Sequence, residues 1–77
     1  MPKILLVDDD VRLAEQIREF LLLEDYVVEV AHDGADAMQL VNSFQFDLIL
    51  LDWELPDTSG LALCKNFRSK GVTTPIV

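Results

Sequence analysis

A chain of 77 residues that is 51% hydrophobic, carries one cysteine and has a formal net charge of −8 has room for one small domain and is too apolar to be disordered. The acidic balance argues against nonspecific attachment to nucleic acid or to an anionic membrane, because both select basic surfaces. Cys64 has no partner for an internal disulfide, and the first apolar run, Ile4 to Val7, is too short for a signal-peptide core or a membrane span. The expectation is a cytoplasmic protein that binds neither nucleic acid nor membrane through this chain.

Lys3-Ile-Leu-Leu-Val7 reads as a buried strand that ends in three carboxylates, Asp8, Asp9 and Asp10. Asp10 can cap the helix that follows from Val11 to Glu24, whose residues Leu13, Ile17, Phe20 and Leu21 fall at helical spacing and are expected to face the core. Val27-Val-Glu-Val-Ala31 is a β-branched strand that Glu29 interrupts, which suits the edge of a sheet. His32 is expected to be a solvated loop residue, since no second soft metal ligand lies at a suitable spacing. Asp33 can cap a second helix with Ala37, Leu40, Val41 and Phe44 on its inner face.

Leu48-Ile-Leu-Leu51 is another continuous aliphatic run, and it too ends in a carboxylate, Asp52. The segment Glu54-Leu-Pro-Asp-Thr-Ser-Gly60 is turn chemistry, with Thr58 or Ser59 available to cap a third helix over Leu61 to Lys70. On that helix Leu63, Cys64 and Phe67 are expected to pack inward, Cys64 as a buried inert thiol. Lys65, Arg68 and Lys70 complement the negative end of the helix dipole, and Gly71 is a left-handed stop. Trp53 is expected to pack in its loop, and Thr74 to Val77 to begin a further strand. Strands alternating with helices in this way indicate an α/β fold with a parallel sheet.

If the strands that end at Asp8 and Asp52 are neighbours, the carboxylates of Asp8, Asp9 and Asp52 share the crevice at the carboxyl edge of the sheet, where open α/β sheets bind ligands. Two carboxylates about 4 Å apart repel by roughly 4 kcal/mol at an effective dielectric near 20. Three therefore call for a cation. An oxygen-only ligand set favours a hard divalent ion such as Mg²⁺, and a carboxylate beside such an ion can accept a phosphoryl group.

The run Ile4-Leu-Leu-Val-Asp-Asp-Asp10, the segment Ala31-His-Asp-Gly34, and Asp52-x-x-x-Pro56-x-x-x-Gly60 preceded by Asp47-Leu-Ile-Leu-Leu together resemble the response-regulator receiver domain of two-component signalling. The likeness extends over the whole chain, in order. It implies a flavodoxin-like parallel sheet, and a phosphoacceptor module rather than an enzyme, in which Asp52 takes a phosphoryl group from a sensor histidine kinase. It further implies a Mg²⁺ site formed by Asp8, Asp9, Asp52 and the backbone carbonyl of Glu54, while Asp10 matches a helix-start position. Pro56 and Gly60 would shape the loop after the acceptor.

Members of that family contain five βα units, and these 77 residues hold three and the start of a fourth strand. Residues 1–77 thus resemble a truncated receiver that keeps the metal site but lacks the family's hydroxyl residue after strand four and its lysine after strand five. The corresponding expectation is weak Mg²⁺ binding, poor stable phosphorylation, and homo-oligomers formed through an exposed strand edge. Two other readings compete. One is a phosphorylation-independent dimerisation half-domain. The other, suggested by Asp8-x-Asp10, is a phosphohydrolase of the haloacid-dehalogenase type, although Arg12 stands where that family prefers a hydroxyl residue.

Overall fold

The strand β1 (Lys3–Val7) runs through the middle of a three-stranded parallel sheet in the order β2-β1-β3, with β2 (Val27–Ala31) and β3 (Leu48–Leu51) on its flanks. The computed structural model describes residues 1–77. In register, Lys3 lies opposite Val27 and Val7 opposite Ala31, while Ile4 lies opposite Leu48 and Val7 opposite Leu51. Glu29 therefore stands on an edge strand, as its interruption of the apolar pattern suggests. Beyond β3, Ile76 bridges Ile49 in parallel, and Val77 N–H donates to the Ile49 carbonyl at 2.9 Å, so the chain is entering a fourth strand position.

Three helices cover the two faces: α1 (Val11–Leu23), α2 (Gly34–Ser43) and α3 (Gly60–Ser69). Alternation along β1 divides the core. Leu5 and Val7 point to the side where Ala37 of α2 and Leu63 and Phe67 of α3 pack with Ala31, Phe46 and Ile49. Leu6 points to the other side, where Ala14 of α1 packs with Val28 and is flanked by Ile17, Leu21, Tyr26, Val30 and Leu50. Phe67, Leu5, Ile49 and Val7 are the largest fully buried side chains, each contributing about 1.5–3 kcal/mol of transfer free energy.

The caps match local chemistry. The Asp10 carboxylate accepts from Leu13 N–H at 3.0 Å, Asp33 from Asp36 N–H at 2.7 Å, and Ser59, rather than Thr58, from Ala62 N–H at 3.1 Å. Gly71 adopts a left-handed φ of 83° after α3, where a side chain would be strained. Arg68 does more than face the helix dipole: its guanidinium donates to the carbonyls of Val72 and Thr74 at 2.8 and 2.9 Å, tying the segment after α3 to the helix end.

Several side chains depart from the periodic reading. The buried line of α1 is Ala14 with Ile17 and Leu21, whereas Leu13 is 44% and Phe20 63% exposed. Those two lie about 100° round the helix from Ala14 and Leu21, and a single sheet face has room for only one stripe. Phe44 is the C-cap of α2 rather than part of its inner face. Its half-exposed ring sits edge-on to Phe46 at 6.5 Å, and the Lys3 ammonium lies 3.9 Å above it, a cation–π contact. Cys64 is only partly buried, because it faces a shallow groove between Trp53, Leu61 and Val77 rather than the core. No helix is long and apolar enough to cross a membrane.

Candidate metal centre

The carboxyl ends of β1 and β3 meet because these strands are hydrogen-bonded neighbours. The Asp52 N–H donates to the Val7 carbonyl at 3.0 Å, and the Asp8 N–H to the Ala31 carbonyl at 3.0 Å. Backbone pairing thus carries on one residue past each strand and fixes where the carboxylates begin. One carboxylate oxygen each from Asp8, Asp9 and Asp52 lies within 4.8 Å of the other two. Asp8 and Asp52 are half-buried and Asp9 is exposed.

Two of the three are oriented by local hydrogen bonds. Asp8 accepts from Asp10 N–H at 2.9 Å, and Asp52 from Trp53 N–H at 2.9 Å. Neither bond uses both oxygens of its carboxylate, and none of the three carboxylates has an ion-pair partner, the single ion pair in the chain being Arg18 with Glu15. Three mutually repelling carboxylates, with oxygen donors alone and no basic side chain, suit a hard divalent cation that tolerates few protein ligands.

The loop after Asp52 is closed at its base. Gly60 N–H donates to the Trp53 carbonyl at 2.7 Å, and Leu55 N–H to the Thr58 carbonyl at 3.0 Å. These two bonds flank the antiparallel Glu54–Ser59 bridge. Glu54 is therefore the non-hydrogen-bonded member of its pair, and its carbonyl is left free of any partner within the chain. Gly60 has a reason beyond turn formation: a Cβ there would overlap the Asp52 carbonyl and crowd Trp53 Cα at 3.2 Å.

The order of strands in the sheet brings Asp8, Asp9 and Asp52 together, and Asp10 is diverted to capping α1. The indole of Trp53 is 77% exposed, which corrects the expectation of loop packing: the backbone of Trp53 is held on both sides while its ring is turned to solvent. His32 is not simply solvated. It is half-buried, with Nδ1 2.9 Å from the Asp8 carbonyl oxygen, and it lies outside the acidic cluster. Asp57 lies in the turn segment, where the sequence alone assigns it no role. Its carboxylate accepts from the N–H groups of Gly34 and Ala35 at 2.8 and 3.0 Å, across to the start of α2. The Gly34 N–H above all, with that of Ala35 and its own, holds the Asp57 carboxyl below its ordinary value against a smaller desolvation effect. Its only signal in the sequence is an acidic residue in a turn beside a Pro.

Residues 4–77 match the response regulator receiver domain. The chain belongs to that family. The receiver is 43% identical over 75 residues to Protein RcaC of Microchaete diplosiphon, covering 97% of this chain and 12% of RcaC. To the response regulator MprA of Mycobacterium ulcerans it is 40% identical over 75 residues, covering 97% of this chain and 32% of MprA. These 77 residues thus span a third or less of either relative. Among solved structures, the receiver domain of the Francisella response regulator 1452 superposes with a TM-score of 0.95 at 34% identity, over 99% of this chain and 63% of that one. TrrA of Thermotoga maritima, solved in complex with Mg²⁺-BeF, superposes with a TM-score of 0.92 at 36% identity, over 99% of this chain and 66% of its own. TrrA has also been solved in complex with the histidine kinase ThkA. The flavodoxin-like arrangement expected of the three βα units is the one shared with these receivers.

Proposed function

We propose that this receiver takes a phosphoryl group from a sensor histidine kinase onto Asp52, with Mg²⁺ held by Asp8, Asp9, Asp52 and the Glu54 backbone carbonyl. The observation that carries this reading is the convergence of three carboxylates, from two separate strand ends, to within 4.8 Å. The relation to TrrA supports the choice of ion and of partner, since TrrA has been solved with Mg²⁺-BeF and with a kinase. Bound Mg²⁺ would neutralise the developing charge on the transferring phosphoryl oxygens. An Asp52 carboxylate oxygen attacks phosphorus, the bond from phosphorus to the kinase histidine nitrogen breaks, and the nitrogen lone pair returns to the imidazole. Backbone pairing at Val7 presents the nucleophile at the sheet edge, and the Trp53 N–H, bonded to one Asp52 oxygen, biases which oxygen attacks.

The site lies in the cytoplasm, where the kinase presents its phosphohistidine. Incubation with a small phosphodonor, read by intact mass, tests the assignment. A Mg²⁺-dependent gain of one phosphoryl group, absent in Asp52→Asn, is expected. Phosphorylation that persists in Asp52→Asn would overturn it.

A further inference from the structure

The loop that carries Glu54 is fixed at its start by Asp52 N–H on the Val7 carbonyl and at its base by the Gly60–Trp53 bond. Its tip is fixed by something else. Asp57 uses both carboxylate oxygens on two consecutive N–H groups of α2, Gly34 and Ala35, which lie 23 and 22 positions away in the chain. Asp33, the ordinary N-cap, takes only Asp36 N–H. The joint is close: a Cβ on Gly34 would meet Thr58 Cγ2 at 2.6 Å and an Asp57 oxygen at 3.2 Å. Consequently the two segments cannot slide against each other without breaking both bonds.

We infer that Asp57 is a positioning residue for the metal site, tying the 52–59 loop to the first turn of α2 so that Mg²⁺ binding and order at the α2 N-terminus are coupled. This rests on the Mg²⁺ reading given above. A ligand loop held at both ends and at its tip loses less freedom when the Glu54 carbonyl engages a cation, which is the usual advantage of outer supports around a metal. By reciprocity, the cation steadies the bonds at Gly34 and Ala35.

Isothermal titration with Mg²⁺ on the unchanged chain, Asp57→Asn, Asp57→Ala and Asp33→Ala tests the coupling. Asparagine and alanine remove the same negative charge, so the electrostatic loss is common to both. Asparagine keeps one carbonyl acceptor for α2, and the difference between the two variants reads the tie itself. Asp57→Ala is expected to bind Mg²⁺ about tenfold more weakly than Asp57→Asn, while Asp33→Ala, which frays the same helix without touching the loop, binds as the unchanged chain does. Mg²⁺ should also slow amide hydrogen exchange at Gly34 and Ala35 in the unchanged chain but not in Asp57→Ala. Equal affinities for Asp57→Asn and Asp57→Ala, or an equal loss in Asp33→Ala, would overturn the inference while leaving the metal reading intact. No heat of Mg²⁺ binding to the unchanged chain overturns the metal reading, and the coupling with it.

Discussion

Nδ1 of His32 lies 2.9 Å from the backbone carbonyl oxygen of Asp8. A carbonyl can only accept, so Nδ1 carries the proton in this bond. Asp8 is consequently held on both sides by the end of β2, through its N–H to Ala31 and its carbonyl to His32. The first carboxylate of the acidic cluster thus depends on a residue 24 positions away.

Replacing His32 should reveal this tie. His32→Ala is expected to lower stability by about 1 kcal/mol in urea unfolding. His32→Asn recovers much of that loss, because its amide nitrogen can stand close to the place of Nδ1. Nitrogen NMR of the ring should find Nδ1 protonated; a ring protonated only at Nε2 would contradict the bond.

At Gly60 the close approach of the Asp52 carbonyl leaves no space for a methyl group. Gly60→Ala is expected to cost about 1–3 kcal/mol by forced backbone shifts, and to weaken Mg²⁺ binding, since Asp52 must move. Gly71→Ala, with open space around it but a left-handed φ of 83°, should lower stability by about 1 kcal/mol and leave Mg²⁺ affinity unchanged. Calorimetric titration beside thermal unfolding separates the two effects.

Acid should weaken the Asp57 tie in a predictable direction. The native carboxyl titrates below its ordinary value, because the Gly34 N–H favours the charged form. As pH falls through about 3.9, the unfolded chain takes up the proton first. The contribution of Asp57 is therefore complete above that pH and is lost as pH falls through the depressed native value. Urea midpoints for the unchanged chain and Asp57→Asn should differ at neutral pH, begin to approach each other as pH falls below about 4, and converge only below the depressed native value. The effect is small, as befits a solvent-exposed group, and a gap that widens on acidification would contradict the hydrogen bonds to α2.

The two phenylalanines at helical positions should behave oppositely. Phe67 is fully buried between α3 and the sheet, and Phe67→Ala is expected to cost about 3–5 kcal/mol, enough to unfold a domain of this size. Phe20 is 63% exposed on α1, and Phe20→Ala should change stability by no more than about 0.5 kcal/mol. Chemical denaturation of both variants decides whether the α1 stripe runs through Ala14 or through Leu13 and Phe20.

By itself the sequence determined everything that depends on neighbours along the chain. Aliphatic runs that end in Asp8 and Asp52 marked two strands, Asp10 and Asp33 marked helix starts, and Gly71 marked a stop, because strand burial, capping and left-handed turns are local chemistry. The carboxylate cluster was legible for the same reason: each member sits at the end of a strand. What only the tertiary structure decided involves groups far apart in the chain. Pairing of β1 with β3 closes the cluster, and the sheet face selects Ala14 over Leu13 and Phe20. Asp57 likewise reaches the start of α2 across 23 residues. A hydrogen bond between distant backbone and side chain leaves no periodic trace in the sequence. It exists only once the strands have fixed where their loops must go.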